Sequence, residues 1–479
     1  MIQGTILRAL RASVCLILIL AFVFPPRHVI AEMSGSEEAA IEQYRKGSVT
    51  LKIIDDRGNP VPNAFVEYKQ TTHDFLFGVG TTTANPPGYY PDETYRFLKE
   101  AGINHALPYL TWNLTSNPDW IEEAYKPAVL RNMGFTLTAH CLYWMCPRAD
   151  WWNLPTAVKS MTYEELKVAL YSHTYEVVLK YKPYITYWGI NEPFWRDADV
   201  FNFDASQWIE TIKITIRAIK DAHPEGKILI NNLMGDWPKQ HYYPLQIIKL
   251  LIDEGIEFDV IGLELYGHRQ TPGVRLDSRG YPEISWVSRR LDEFRKFGKS
   301  IILSEIGVKN RPNEMNQASW LLSVYTMAFS KPYVLGVVWL FISDDPFLPG
   351  AGMLNKDLSP RLVFYALRNL IGNWTTSGNG RSDSSGQLLF RGFGRNYSIA
   401  ISGSGYKPLK AIIHVAETED LEYAFRLETS EKAETRTQSA TMSPVKPTTV
   451  TSNYLALIAI AISIIAATTF ALQRKHIRN

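Results

Sequence analysis

Residues 161–191 read MTYEELKVALYSHTYEVVLKYKPYITYWGIN and place an amphipathic stretch before a short apolar run. The first part, Met161–Lys180, has the apolar spacing of a helix, and the second part, Tyr187–Asn191, is typical of a buried strand. The same alternation recurs through the middle of the chain. Apolar strands that alternate with amphipathic helices indicate right-handed βαβ units and a parallel sheet.

Working outward from this stretch, eight strands and several more helices can be assigned. The predicted strands are Phe75–Gly80, Asn104–Leu107, Thr136–Leu142, Tyr187–Asn191, Lys227–Asn231, Val260–Leu265, Ser300–Glu305 and Gly336–Phe341. The further predicted helices are Ser206–Ala222, Tyr243–Glu254, Trp286–Phe297 and Ser319–Phe329. Eight units over residues 74–372 predict an α/β fold, a (β/α)8 TIM barrel with insertions. A doubly wound open sheet is the alternative, but the Gly-rich phosphate loop typical of that fold is absent from the sequence.

The segments on either side of the barrel are expected to be small all-β modules. Residues 45–73 contain SVTLKIIDDRGNPVPNAFVEYKQ, in which alternating strands flank an Asp-Arg-Gly-Asn-Pro turn. Residues 373–430 contain LLFRGFG, YSIAISG and KAIIHVA, which are also typical of strands. We therefore predict an N-terminal β appendage and a C-terminal β module.

The N-terminus has the composition of a targeting segment. Residues 1–31 have Arg8 and Arg11 before an apolar run, with small residues near Ala31, which predicts a secretory signal peptide. An uncleaved membrane anchor is the alternative.

The C-terminus predicts attachment to a membrane. Residues 454–472 form 19 uncharged positions, enough for about 28 Å of helix, and the basic tail 473–479 follows. The preceding segment, 431–453, is rich in Ser, Thr and Pro and is expected to be an extended stalk. Together these patterns predict a single-pass protein at the cell surface, with its catalytic domain outside the cell.

Composition excludes several classes of function. The 50 basic and 48 acidic residues nearly cancel, which argues against a nucleic-acid partner. Only three cysteines occur, which excludes a disulfide-rich scaffold and a four-ligand zinc site, so no metal or cofactor is expected. Aromatic residues reach 12%, which suits a protein that stacks sugar rings, although most aromatic side chains fill cores.

Polar residues gather at the carboxyl ends of the predicted strands, where barrel enzymes place their chemistry. Glu192 and Glu305 stand at the ends of strands four and seven, which are otherwise apolar. A buried carboxylate is costly unless it faces a polar cleft, and the alternative is a loop salt bridge or a helix cap. Two carboxyl groups across a barrel mouth suit glycoside cleavage, in which one donates a proton and the other attacks the anomeric carbon.

Four segments resemble glycoside hydrolase family 10, the endo-β-1,4-xylanase family. They are AHCLYW (139–144), YWGINEPF (187–194), ILSEIGV (302–308) and the eighth-strand region VVWLFISDDPFLPGAGMLNKDLSPRLVFYAL. The resemblance implies that Glu192 is the acid/base and Glu305 the nucleophile. It further implies that Asn191 and His140 line the subsite of the sugar next to the cleaved bond.

Other residues complete the predicted site, and some of them depart from the family pattern. Trp144 and Trp339 are the preferred sugar platforms, Asn232 ends the fifth strand, and Tyr266 with His268 is expected to assist Glu305. The family usually has Gln and His after the sixth strand, where this chain has Glu264 and Tyr266. The family's sugar-gripping Lys after the second strand and a second His after the third-strand Trp are also missing.

These patterns together predict a retaining glycoside hydrolase of β-linked polysaccharide, xylan-like or a related β-1,4-glycan. Glu192 is expected to carry the proton and Glu305 to be ionised. The alternative is a catalytically inactive surface protein that binds carbohydrate or mediates adhesion on the same barrel. The intact pair of glutamates argues against that alternative.

Overall fold

The structure is a computed structural model that describes residues 35–81, 90–145, 154–191, 201, 203–238, 242–267, 273–311 and 313–430, without the side chains at 118, 120 and 141. The strands are β1 Lys46–Asp55, β2 Phe65–Gln70, β3 Leu76–Gly80, β4 His105–Leu107, β5 Thr136–Tyr143, β6 Tyr187–Asn191, β7 Lys227–Leu233, β8 Val260–Tyr266, β9 Ser300–Gly307, β10 Val334–Trp339, β11 Ser377–Arg381, β12 Gln387–Phe393, β13 Arg395–Ser402, β14 Leu409–Val415 and β15 Asp420–Leu427.

The helices alternate with the barrel strands as predicted. They are α1 Gly35–Tyr44, α2 Asp92–Glu100, α3 Trp112–Thr115, α4 Pro118–Ala124, α5 Pro127–Asn132, α6 Thr156–Lys159, α7 Tyr163–Tyr181, α8 Ala205–Ala222, α9 Pro244–Asp253, α10 Ile284–Arg295, α11 Glu314–Phe329 and α12 Leu362–Asn373. The two longest begin at reciprocal caps, in which Thr162 pairs with Glu165 and Asp204 with Gln207. Each cap satisfies backbone N–H groups that have no partner within the helix.

The (β/α)8 barrel is confirmed. Strands β3 to β10 form one closed, parallel barrel, in which β10 pairs with both β3 and β9. The observed strands differ from the predicted ones by a few residues at most. Every residue of β8 is buried, as expected for a strand with side chains inside the barrel on one face and helices on the other.

A layer of apolar side chains fills the barrel interior below the mouth. Its members share the inward face of six strands and are Leu76, Leu107, Leu229, Val260, Ile302 and Val338. Because side chains alternate along a strand, the next inward positions, two residues further on, lie closer to the carboxyl ends. Asn231, Gly262 and Ser304 occupy such positions, so this apolar layer forms the floor of the polar cluster described below.

The two flanking segments are all-β as predicted, but they are not separate modules. Strand β1 pairs antiparallel with β12 and parallel with β15. Strand β2 pairs antiparallel with β11 and β13, and β14 completes that sheet. The two sheets share one hydrophobic core, so the N-terminal and C-terminal segments together form a single β-sandwich. Sequence alternation defined the strands but gave no information on which distant strands would pair.

Arg45 joins this sandwich to the barrel. Its side chain is 2% exposed and donates to the backbone oxygens of Phe329, Lys331 and Val334 at 2.6–2.7 Å. The Arg45 guanidinium also lies 3.5 Å from the carboxylate of Glu417. Burial lowers the pKa of Arg45 and raises the pKa of Glu417, because desolvation outweighs the attraction between the two charges.

Several predictions lie outside the described residues. They are the signal peptide 1–31, the stalk 431–453, the span 454–472 and the tail 473–479. Within the ranges that the structure does describe, none of the helices has the length and apolar character needed to cross a bilayer.

Replacing Arg45 with Met should destabilise the protein strongly. Three backbone oxygens and the Glu417 carboxylate would lose their buried donor, a loss that costs about 3–5 kcal/mol for a broken buried pair. Urea unfolding measures the difference. Arg391→Met is the matched control, because Arg391 pairs with Glu42 at the surface, where an ion pair contributes less than about 1 kcal/mol. Equal losses of unfolding free energy in the two variants would contradict the role of Arg45 in joining the sandwich to the barrel.

Candidate active site

A register shift at the end of β9 brings Glu305 into the barrel mouth. Gly262 of β8 pairs with Ile302, but Glu264 pairs with Glu305, so one extra residue is accommodated on β9. Simple alternation from Ile302 would turn Ser304 inward and Glu305 away. A shift of this kind re-aims side chains, and here Ser304 and Glu305 both reach the same residue, Asn231.

Three donors surround the carboxylate of Glu305, which is 5% exposed. Its Oε1 lies 2.8 Å from His140 Nε2 and 3.4 Å from Asn231 Nδ2. Its Oε2 accepts a hydrogen bond from the Tyr266 hydroxyl. A buried carboxylate needs such partners, and these three hold both of its oxygens in a fixed position.

His140 reaches Glu305 from the opposite side of the mouth. Its Nε2 also lies 3.5 Å from Asn191 Nδ2. The Nε2 atom has only one proton to donate, and the distances assign it to Glu305, so Asn191 makes a contact there rather than a second strong bond. The edge of the Tyr109 ring packs on the imidazole, with ring centroids 4.6 Å apart. The structure therefore brings together Glu305, His140, Asn191 and Tyr266, as predicted.

Tyr266 is a permanent donor in this site. Burial raises the pKa of its hydroxyl well above the usual value, and the nearby charges of Glu305 and Glu264 raise it further. The phenol therefore keeps its proton throughout the ordinary pH range. Its ring contacts Phe347, with centroids 5.2 Å apart, and Phe347 is 47% exposed at the rim of the mouth.

Asn231 is the hub of the cluster. Its Oδ1 accepts from the Ser304 hydroxyl, and its Nδ2 donates to Glu264 at 2.6 Å as well as approaching Glu305. The side chain crosses from β7 to β9 over Gly262 of β8. A Cβ at position 262 would lie 2.5 Å from Asn231 Oδ1 and 3.0 Å from Ser304 Oγ, so only glycine leaves room for this crossing.

Two predicted site residues lie away from this cluster, because adjacent side chains on a strand face opposite ways. Asn232 was expected in the site, but it is fully buried outside the barrel interior, where its Oδ1 accepts from Tyr242. Trp339 was expected as a sugar platform, but its ring is 0% exposed, contacts Trp320 and donates to Ala351. Neither side chain presents a surface to a sugar in this structure.

Three other tryptophans, Trp144, Trp112 and Trp188, differ in burial and in their partners. Trp144, directly after β5, is half-buried, and its assignment as a sugar platform stays a prediction. Trp112 stacks on His173 and Trp188 donates to His223, so both belong to the core. Glu192 and His268 lie outside the described residues, so the separation of the two predicted catalytic carboxyl groups stays a prediction too.

Sequence reasoning missed the contributions of Asn231, Ser304, Tyr109 and Phe347. For Asn231 a signal existed, because it lies two residues after Leu229 and thus on the same face as the apolar interior layer. For Ser304 and Glu305 no local signal revealed the register shift. Within the described part of the chain, no group of three or more His, Cys, Asp or Glu side chains is arranged to hold a metal ion.

Comparisons with known proteins find one family model and several similar solved structures. The sequence model of glycosyl hydrolase family 10 matches residues 110–368. Among solved structures, native xylanase 10B from Thermotoga maritima is 20% identical with a TM-score of 0.49, covering 63% of this chain and 95% of that one. Penicillium canescens endo-1,4-beta-xylanase XylE is 18% identical with a TM-score of 0.49, covering 62% and 94%.

Two curated relatives match at low identity. The anti-sigma-I factor RsgI6 of Acetivibrio thermocellus is 25% identical over 76% of this chain and 46% of its own length. Endo-1,4-beta-xylanase A of Xylanibacter ruminicola is 21% identical over 41% of this chain and 51% of its own length. The alignments thus span about half the length of these relatives. Because the family model covers more than half of the sequence described here, the chain belongs to glycosyl hydrolase family 10.

Proposed function

We propose that this protein is a retaining glycoside hydrolase that cleaves a β-linked polysaccharide, xylan or a related β-1,4-glycan. The observation that carries the proposal is the carboxylate of Glu305, held by His140, Tyr266 and Asn231 at the carboxyl end of the barrel. A carboxylate with both oxygens fixed by donors is suited to attack a sugar carbon without rearrangement of its surroundings.

The proposed reaction has two displacement steps. Glu305 attacks the anomeric carbon, the glycosidic C–O bond breaks, and Glu192 gives its proton to the leaving oxygen. In the second step water attacks the same carbon, Glu192 takes a proton from that water, and the Glu305 ester bond breaks. Two inversions leave the product with the configuration of the substrate. This assignment places the two carboxyl groups about 5–5.5 Å apart, since an inverting pair needs a wider gap.

The substrate class rests on family membership and on the name of one relative, endo-1,4-beta-xylanase A. Asn191 and His140 border the position of the reacting sugar, and half-buried Trp144 supplies an aromatic face beside it. The alternative of an inactive carbohydrate-binding barrel is less favoured. A protein that only binds sugar has no need for a buried carboxylate supported by three donors.

We also propose that the barrel works outside the cell, attached by the C-terminal segment 454–472. The support is the sequence itself, which combines an apolar N-terminal run with a basic stop after the C-terminal one.

Replacing the two glutamates should separate their roles. Glu305→Ala should lower turnover about 10⁴-fold or more on every substrate, because no nucleophile remains. Glu192→Ala should keep the first step for substrates with a good leaving group, and added azide should then yield a β-glycosyl azide. Product analysis by NMR gives the anomeric configuration, and Glu254→Ala, a surface change, is the control.

Azide rescue of Glu305→Ala with an inverted product is expected as the complementary result. Retained activity in both variants would refute the assignment of the pair. Absence of hydrolysis by the full-length wild type, on a panel of plant and microbial polysaccharides, would favour the binding protein instead.

Removing the Tyr266 hydroxyl should slow the chemical step. Tyr266→Phe loses one donor to the nucleophile, so kcat should fall roughly 10- to 100-fold while KM changes little. Tyr397→Phe is the matched control, because that buried hydroxyl donates to Phe393 in the sandwich. Since the pKa of Tyr266 is raised, the wild type should show no loss of activity from its ionisation below about pH 10. Equal kcat values in the two variants would show that the Tyr266 hydroxyl does not contribute to the chemical step.

Deleting residues 454–479 should release active protein into the medium. The reason is that the predicted span is the attachment that remains once a signal peptide is cleaved. Fractionation followed by an activity assay checks the result. If the truncated chain stays with membranes, the N-terminal run is an uncleaved anchor.

A further inference from the structure

Glu264 is a second buried carboxylate beside the proposed nucleophile. It lies opposite Glu305 in the pairing of β8 with β9 and is 7% exposed. The resemblance to family 10 gives it no role, since the family usually has Gln at this point. Its charge acts on the same hydroxyl that donates to Glu305, that of Tyr266.

A single amide group connects the two carboxylates. Asn231 Nδ2 carries two hydrogens, and it lies 2.6 Å from Glu264 Oε1 and 3.4 Å from Glu305 Oε1. The Ser304 hydroxyl donates to Asn231 Oδ1, which fixes the orientation of the amide so that its hydrogens point to the acids. Gly262 provides the space for this arrangement.

Glu264 therefore reaches Glu305 through Asn231. Each carboxylate is buried, and each accepts from the same nitrogen. The shorter contact belongs to Glu264, so this bond fixes the Asn231 amide, and the second hydrogen of the same nitrogen is left for Glu305. Among the residues that the structure describes, the titratable groups placed against the pair include His140 on β5, Tyr266 on β8, and Tyr109, which packs on His140. The predicted acid/base Glu192 directly follows β6.

We propose that Glu264 is a positioning residue that acts on Glu305 through Asn231 and thereby supports the chemical step. The proposal rests on the glycosidase function proposed above. Glu264 accepts from the Asn231 amide and so holds the second hydrogen of that nitrogen toward the nucleophile. It touches neither of the reacting bonds.

Glu264→Gln removes the charge and keeps an oxygen that accepts from Asn231. Activity should survive, because the side-chain oxygen of Gln can still accept from Asn231 and fix its amide. Glu264→Leu removes the acceptor as well, so kcat should fall roughly 10-fold or more while KM stays near the wild-type value. The full-length chain is assayed on an aryl β-glycoside across the pH range.

The control is Glu254→Gln, which removes one negative charge from the surface beyond α9. Its kcat should match that of the wild type, since an exposed charge at a distance from the site is screened. Partial recovery of kcat in Glu264→Gln relative to Glu264→Leu distinguishes positioning through Asn231 from a merely structural role.

A second measurement needs no substrate. The Tm of each variant is compared with that of the wild type, so that a fall in kcat at unchanged Tm separates lost positioning from lost folding.

The two proposals fail in different ways. A wild type that hydrolyses no glycoside would overturn the glycosidase function. An active wild type whose kcat is matched by a folded Glu264→Leu variant would overturn the role of Glu264 and leave the glycosidase function standing.

Discussion

Burial of the Glu305 carboxylate is the constraint on which the arrangement of the barrel mouth depends. A charged group with 5% exposure is stable only where donors replace water. His140, Tyr266 and Asn231 supply them from three different strands, and the register shift on β9 aims the carboxylate at all three. The same requirement keeps position 262 free of a side chain, since Asn231 must cross β8 there.

A second buried charge, Arg45, links the outer parts of the molecule. The β-sandwich is built from segments at opposite ends of the described chain, and Arg45 attaches it to the turn between α11 and β10. That turn leads directly into β10, which closes the barrel against β3. The sandwich thus contacts the segment that leads into the closing strand. Both ends of the domain are held by tertiary contacts rather than by local ones.

The site combines what the family shares with what this chain changes. Glu305, His140 and Asn191 match the family pattern and lie together. Glu264 and Tyr266 depart from it, and they are the residues that contact the Asn231 hub and the nucleophile. Two of the changes thus lie beside the nucleophile, where a hydroxyl and an extra carboxylate take the place of the usual side chains. Experiments on this site therefore need to vary its charge as well as its shape.

Local sequence patterns were enough to predict the barrel, its eight strands and the residues at their ends, because periodicity and local caps are properties of neighbouring residues. It also indicated Glu305, His140 and Tyr266 correctly as neighbours. It did not decide between Asn231 and Asn232, nor the inward or outward direction of Trp339, since a shift of one residue reverses the face. The three-dimensional packing was needed for these, for the register shift at Glu305 and for the joining of two distant β segments into one sandwich. Each depends on pairing between strands far apart in sequence, and local patterns do not record such pairing.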